Sequence, residues 1–214
     1  MLAAKNKSVT ALTGGIEYLF KKNKVDYIKG TASFASTTEI DVELNEGGST
    51  QISAKNTIIA TGSEVTPFPG MEIDEEQIVS STGVLDLQKV PEKLVVIGAG
   101  VIGLEMGSVW SRLGAKVEVV EFLGAIGGQG IDGGIAKNFQ KILAKQGMKF
   151  SLNTKVMGAE KKDGKVVLAL EGAKDGKKSE VSFRIERALD VHAHPALPYS
   201  SLPMSFLSLS VADQ

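Results

Sequence analysis

Residues 94–121 read LVVIGAGVIGLEMGSVWSRLGAKVEVVE. The apolar run Leu94, Val95, Val96, Ile97 leads into Gly98, Gly100 and Gly103, which have G-x-G-x-x-G spacing at the point where a strand gives way to a helix. Gly98 permits the tight turn, Gly100 lets the backbone approach a pyrophosphate, and Gly103 allows the helix to sit close to the strand. The helix start, with its free N–H groups and the positive end of its dipole, then favours an anion. A second strand, 116–121, ends in Glu121. A carboxylate there accepts from a ribose 2′-hydroxyl and repels a 2′-phosphate. Phe122 and Leu123 bring no arginine to that strand end, so the stretch predicts NAD rather than NADP. Glu105 has two readings, a ligand contact or a carboxylate placed in the first turn by the helix dipole alone.

Toward the C-terminus strand and helix keep alternating. A helix is expected over 101–113 and another over 132–146, the second with Ile135, Phe139, Ile142 and Leu143 at helical spacing. Gly114 and Gly147 stand where C-caps belong. Strands are expected at 148–152, 166–170 and 181–185, the last two flanking the polar turn EGAKDGKK. This order predicts an α/β fold with a Rossmann-like parallel sheet. Residues 192–214 hold three prolines, many serines and no clean period, so an irregular tail is expected from 187 onward.

Toward the N-terminus, Val9, Leu12, Ile16, Leu19 and Phe20 have the spacing of an amphipathic helix, with Lys21, Lys22 and Lys24 at its end. Short β-type runs follow at 25–28, at the alternating Ile40, Val42 and Leu44, and at 56–61 beyond a turn at 45–48. They predict a small antiparallel sheet feeding one buried strand. Pro67, Pro69 and Gly70 break regular structure ahead of the acidic stretch 72–76, where a crossing between domains is expected.

Composition narrows the class. The 214 residues are 43% apolar, enough for a core, and 24 Lys and Arg balance 25 Asp and Glu. No broad field exists to attract nucleic acid or an anionic membrane, and neither is expected as a partner. With no cysteine, these residues carry no disulfide, thiolate metal site or thiol redox chemistry of their own. No apolar run has the length of a membrane-spanning helix, and no signal or import peptide is read at the start.

A second local signal is IIATGSEVTPFPG, residues 58–70. Gly62 can bring backbone near a ligand, and the hydroxyls of Thr61 and Ser63 can meet phosphate or ribose, although Thr-Gly-Ser is also ordinary turn chemistry. Together with LTGGIEYLFKKNKV, IVSSTGVLDL, VPEKLVVIGAGVIGLEMGSVWSRLGAKVEVVEF and NFQKILAKQGMKF, this text resembles the dihydrolipoamide dehydrogenases, in their eukaryotic mitochondrial form, among the pyridine nucleotide-disulfide oxidoreductases. The matching runs cover most of residues 8–155.

The resemblance implies two cofactors. FAD would be touched by Thr61, Gly62 and Ser63 and by the backbone at Ala32, where the family usually has glycine. NAD would be held by Gly98, Ala99, Gly100, Val101, Ile102, Gly103, Leu104 and Glu105, with Glu121 and the backbone of Val156. It implies a partial FAD-binding domain over 1–85, an NAD-binding domain over 86–186, and a remnant of the dimerisation domain within 187–214. VHAHPAL resembles the family's acid-base segment and assigns His194 as the catalytic histidine, but Tyr199 stands where its glutamate partner would be. The bland alternative is two solvent histidines, His192 and His194, beside a proline. The family's redox disulfide and first FAD glycine motif are absent from these 214 residues, so an incomplete chain is expected.

The activity implied is oxidation of dihydrolipoamide by NAD⁺ through the disulfide and FAD. The implied partners are lipoyl domains of 2-oxo acid dehydrogenase complexes and a second copy in a homodimer, and the implied place is the mitochondrial matrix. The alternative is a non-catalytic fragment that holds NAD(H).

Overall fold

The computed structural model describes residues 1–63, 65–66, 68–163, 165–173, 178–179 and 187–190. In chain order the elements are α1 (Leu2–Lys22), β1 (Gly30–Phe34), β2 (Glu39–Leu44), β3 (Ser49–Ser53), β4 (Ile78–Ser80), a 3₁₀ turn (Gly83–Asp86), β5 (Lys93–Ile97), α2 (Val101–Arg112), β6 (Lys116–Val120), α3 (Gly133–Lys145), β7 (Lys149–Ser151), β8 (Thr154–Lys162), β9 (Lys165–Gly172), β10 (Lys178–Ser179) and β11 (Arg187–Asp190). Described residues before Val65 make one compact unit, and those from Val65 to Asp190 make another.

In the second unit, five parallel strands lie in the order β4-β11-β5-β6-β7. Side chains of a strand alternate between faces, and here both faces of β5 are covered. Leu94 and Val96 join a core with Leu104 and Trp110 of α2, while Val95 and Ile97 join another with Val156 of β8 and Val166, Leu168 and Leu170 of β9. A strand buried on both sides needs apolar residues at every position, which is why residues 94–97 show no alternation. From β5 the chain steps outward to β6 and β7, then returns through the antiparallel strands β8, β9 and β10 to lay β11 on the other side of β5. The sheet therefore has its topological switch between β5 and β11, and crevices at the carboxyl ends of such strands are where open α/β sheets bind ligands.

α2 and α3 end as expected, with Gly114 and Gly147 in the left-handed region at φ 110° and 102°. Asp132 caps α3 by accepting from the N–H groups of Gly134 and Ile135. The spacing of Ile135, Phe139 and Ile142 suggests a core face, but all three are exposed and α3 buries Ala136 and Leu143 instead. Spacing identifies a stripe; it does not say what covers it.

The expectation of an irregular tail from residue 187 needs correction, because 187–190 form β11, with Ala188 and Leu189 fully buried between β4 and β5. A four-residue strand with a charge at each end has too few positions to show a period, and only its parallel neighbours fix it. β8 also escapes the sequence reading, its lysines hiding a strand that buries Val156 against β9. Strand β4, which falls before the expected boundary at 85, pairs with β11 in the parallel sheet. The run 181–185 and residues 191–214, including His192, His194 and Tyr199, lie outside the described residues.

In the first unit a small antiparallel sheet forms, as expected, but from β1, β2 and β3, of which only β2 falls on an expected run; Ala32, Ile40 and Val42 are its core. The turn at 45–48 closes on Leu44 N–H donating to Gly48 O. Two expected strands are not formed. Residues 25–28 remain irregular and pack Ile28 onto the small core, while 56–61 belong to none of the sheets among the described residues and leave Ile58 66% exposed. β propensity needs a neighbour's N–H and C=O groups to become a strand, and residues 56–61 pair with no strand among the described residues. α1 forms and ends at Lys22, and just beyond it Lys24, at φ 56°, lets Val25 N–H donate to Phe20 O. It buries no residue, so its apolar stripe of Val9, Leu12, Ile16 and Leu19 is exposed. No helix among the described residues is long and apolar enough to cross a membrane.

Candidate nucleotide-binding site

At the carboxyl end of β5 the ladder to β6 closes with Gly98 N–H donating to Val120 O at 2.8 Å. The chain then turns through Gly98 at φ 100°, a conformation that a side chain disfavours. Gly100 is the N-cap of α2, extended at φ −69° and ψ 175°, and no side chain caps the helix. A Cβ added to Gly100 would meet no atom within 4 Å, whereas one on Gly103 would lie 2.3 Å from Gly98 O and 3.0 Å from Val96 Cγ1. The two glycines thus have separate causes. Gly103 is required by helix-to-strand packing, while nothing in the fold crowds Gly100, which leaves the uncapped start of α2 open to an anion such as a pyrophosphate.

Around this turn the side chains divide sharply. Ala99 and Leu104 are buried, while Val101 and Ile102 face outward. Glu105 is exposed and is the fifth residue of α2, one position past the first turn in which the sequence reading put it.

Glu121 stands just beyond β6 and reaches back across the turn. Ala99 N–H donates to its Oε2 at 2.7 Å and Leu123 N–H to its Oε1 at 2.8 Å. Its backbone is held as well, Glu121 N–H donating to Ser151 O and Thr154 N–H to Glu121 O, both at 2.9 Å. Val156, two residues beyond Thr154, packs in the same core as Ile97 and Val120, the last residues of β5 and β6. The structure therefore brings together the glycine turn, Glu121 and Val156 at the carboxyl ends of β5 and β6.

Sequence reasoning missed two supports of this end of the sheet. Gly127 N–H donates to Ala99 O at 2.7 Å, and Asn153 N–H donates to Leu123 O at 3.0 Å. The signal available was the run of glycines at 127–130, of which Gly127, Gly128 and Gly130 have positive φ.

The expected flavin residues are less well assembled. Ala32 is buried in β1 opposite Val42, whereas Thr61 ends the irregular run 56–61 and Gly62 and Ser63, both exposed, follow it. A Cβ on Gly62 would meet nothing within 4 Å, and Ile58 and Ile59 beside it face solvent.

Comparison with known proteins assigns the ancestry of this geometry. The family described as pyridine nucleotide-disulphide oxidoreductase matches residues 2–186. The chain belongs to that family. It is 60% identical over 178 residues to the mitochondrial dihydrolipoyl dehydrogenase of Caenorhabditis elegans, covering 83% of this chain and 36% of the relative. Identity to the human mitochondrial dihydrolipoyl dehydrogenase is also 60% over 178 residues, with 35% of that protein covered. Among solved structures it is similar to an HOCl-induced flavoprotein disulfide reductase from Escherichia coli, with a TM-score of 0.76, 25% identity, and coverage of 91% of this chain and 42% of that one. The chain thus spans about a third of the length of these curated relatives.

Proposed function

We propose that this chain provides the NAD(H)-holding part of a dihydrolipoamide dehydrogenase-type oxidoreductase. The observation that supports it best is the carboxylate of Glu121 set across the glycine turn at the end of β5, beside the open space over Gly100. Each carboxylate oxygen has two lone pairs, so an oxygen that takes one backbone N–H keeps capacity for a ribose hydroxyl. The uncapped first turn of α2 binds the pyrophosphate through main-chain N–H groups, and Val156 contributes its backbone from the β8 side. When bound, the nicotinamide supplies hydride transfer.

In the whole protein this serves oxidation of dihydrolipoamide by NAD⁺ through FAD and a redox disulfide, in a homodimer that meets lipoyl domains of 2-oxo acid dehydrogenase complexes in the mitochondrial matrix. The thiol step has no group in this sequence, which has no cysteine. Descent supports an FAD-type part up to residue 85, with flavin contacts at Ala32, Thr61, Gly62 and Ser63, an NAD-type part over 86–186, and His194 as a remnant of the acid-base segment.

Isothermal titration of the purified chain with NADH, NADPH and FAD tests the proposal. Saturable NADH binding, lost on Gly100→Val, is expected. A folded chain that binds no NADH would refute the site, and FAD binding without NADH would transfer the function to the first unit.

A further inference from the structure

Both carboxylate oxygens of Glu121 are held by main-chain donors that come from different segments, Ala99 from the glycine turn and Leu123 from the bend after β6. Each segment is fixed in turn. Gly98 N–H is tied to Val120 O and Gly127 N–H to Ala99 O, while Asn153 N–H is tied to Leu123 O and Thr154 N–H to Glu121 O. A glutamate side chain on a strand end ordinarily rotates freely into water. This one is clamped at both oxygens by donors that cannot move without breaking further bonds.

We propose that the N–H groups of Ala99 and Leu123 form a lock on Glu121 that sets the choice of dinucleotide, making both residues positioning residues for cofactor specificity. The inference rests on the NAD(H) reading and deepens it. An unlocked carboxylate can swing aside when a 2′-phosphate arrives, so its discrimination is limited to the small cost of a rotamer change. A locked one must first give up hydrogen bonds to a charged acceptor, and each such bond corresponds to a factor of about ten to a hundred in an equilibrium. The lock leaves ribose recognition intact, because it uses one lone pair on each oxygen. It also commits the Ala99 N–H, so the pyrophosphate is left to the N–H groups beyond Gly100.

The test is titration of the full chain with NADH and with NADPH, for the unmodified protein and for Leu123→Pro and Leu123→Ala. Proline removes the donor and keeps the Glu121 carboxylate; alanine keeps the donor and removes the side chain. Expected is a fall of about tenfold or more in the preference for NADH in Leu123→Pro, chiefly through tighter NADPH binding, and an unchanged preference in Leu123→Ala. An unchanged preference in a folded Leu123→Pro overturns the lock. Amide hydrogen exchange on the nucleotide-free chain decides independently of whether that variant folds. The Ala99 and Leu123 amides should be protected and should exchange about tenfold faster or more in Glu121→Ala. If they exchange freely in the unmodified folded chain, the lock is refuted. If they are protected but neither dinucleotide binds, the NAD(H) reading has failed and the specificity role falls with it.

Discussion

Gly100 and Gly103 are three residues apart in one motif and answer to different forces. A methyl group on Gly103 would drive into the carbonyl of Gly98, and one on Gly100 would project into open space. Gly103→Ala is therefore expected to destabilise the fold by about 1–3 kcal/mol through overpacking, lowering the midpoint of urea unfolding. Gly100→Ala should cost no more than roughly 1 kcal/mol, through loss of a favourable N-cap, yet weaken NADH binding in calorimetric titration. A Gly100→Ala chain that binds NADH as well as the parent would show that the open space is not the cofactor's. The motif itself is legible in the sequence because strand, glycines, helix and terminal acid follow in a fixed order. The contacts around Glu121 are not, since Leu123, Gly127 and Asn153 act through main-chain atoms that any residue type supplies.

Elements are legible to the extent that each carries its own period or punctuation. β5, α2, β6 and α3 do, and their ends fall within a residue or two of the expected ones. β11 and the irregular run 56–61 do not, because whether a segment of four or six residues with a short apolar centre becomes a strand depends on the strand that pairs with it. The faces of α3 show the same limit, and they make a prediction. Leu143→Ala removes a buried side chain and should cost about 2–5 kcal/mol, whereas Phe139→Gln, on the exposed stripe, should stay within about 0.5 kcal/mol. Equal losses in chemical denaturation would mean that both faces of α3 are covered.

The loop ahead of β4 is held to β8 by Asp74, which pairs with Lys161 and accepts from the N–H groups of Ile78, Glu76 and Gln77. Desolvation pushes the Asp74 carboxyl up, but the Lys161 bond and the three backbone donors outweigh it and bring it down to about 2 from 3.8. A carboxyl depressed in the folded state contributes stability that is fully present above its unfolded value and is lost as pH falls through its folded one. The chain should accordingly lose about 1 to 2 kcal/mol between roughly pH 4 and pH 2, allowing for screening by solvent, and Asp74→Asn should lack that part of the acid response. An identical pH profile for Asp74→Asn would remove Asp74 as its source.

At the scale of the whole molecule, the two units differ in what secures them. The parallel sheet is covered on both faces, with Leu94, Val96, Val119 and Leu189 fully buried, while α1 buries nothing along its length. A helix of this kind has little beyond its own hydrogen bonds to resist opening, and isolated helices are marginal in water. Amides of α1 should therefore exchange by local opening, and those of β5 and β6 only when the sheet opens. A ligand that binds the folded sheet end alone stabilises it by mass action, about 2.7 kcal/mol at a hundredfold excess over Kd, which slows exchange in β5 and β6 by about a hundredfold. Protection of α1 should not change, because its openings do not pass through the state that NADH stabilises. Hydrogen exchange followed by mass spectrometry, with and without NADH, separates the outcomes. Slowing confined to the sheet places the nucleotide on the second unit, and equal slowing in α1 would mean that α1 opens only with the sheet, against its lack of buried residues.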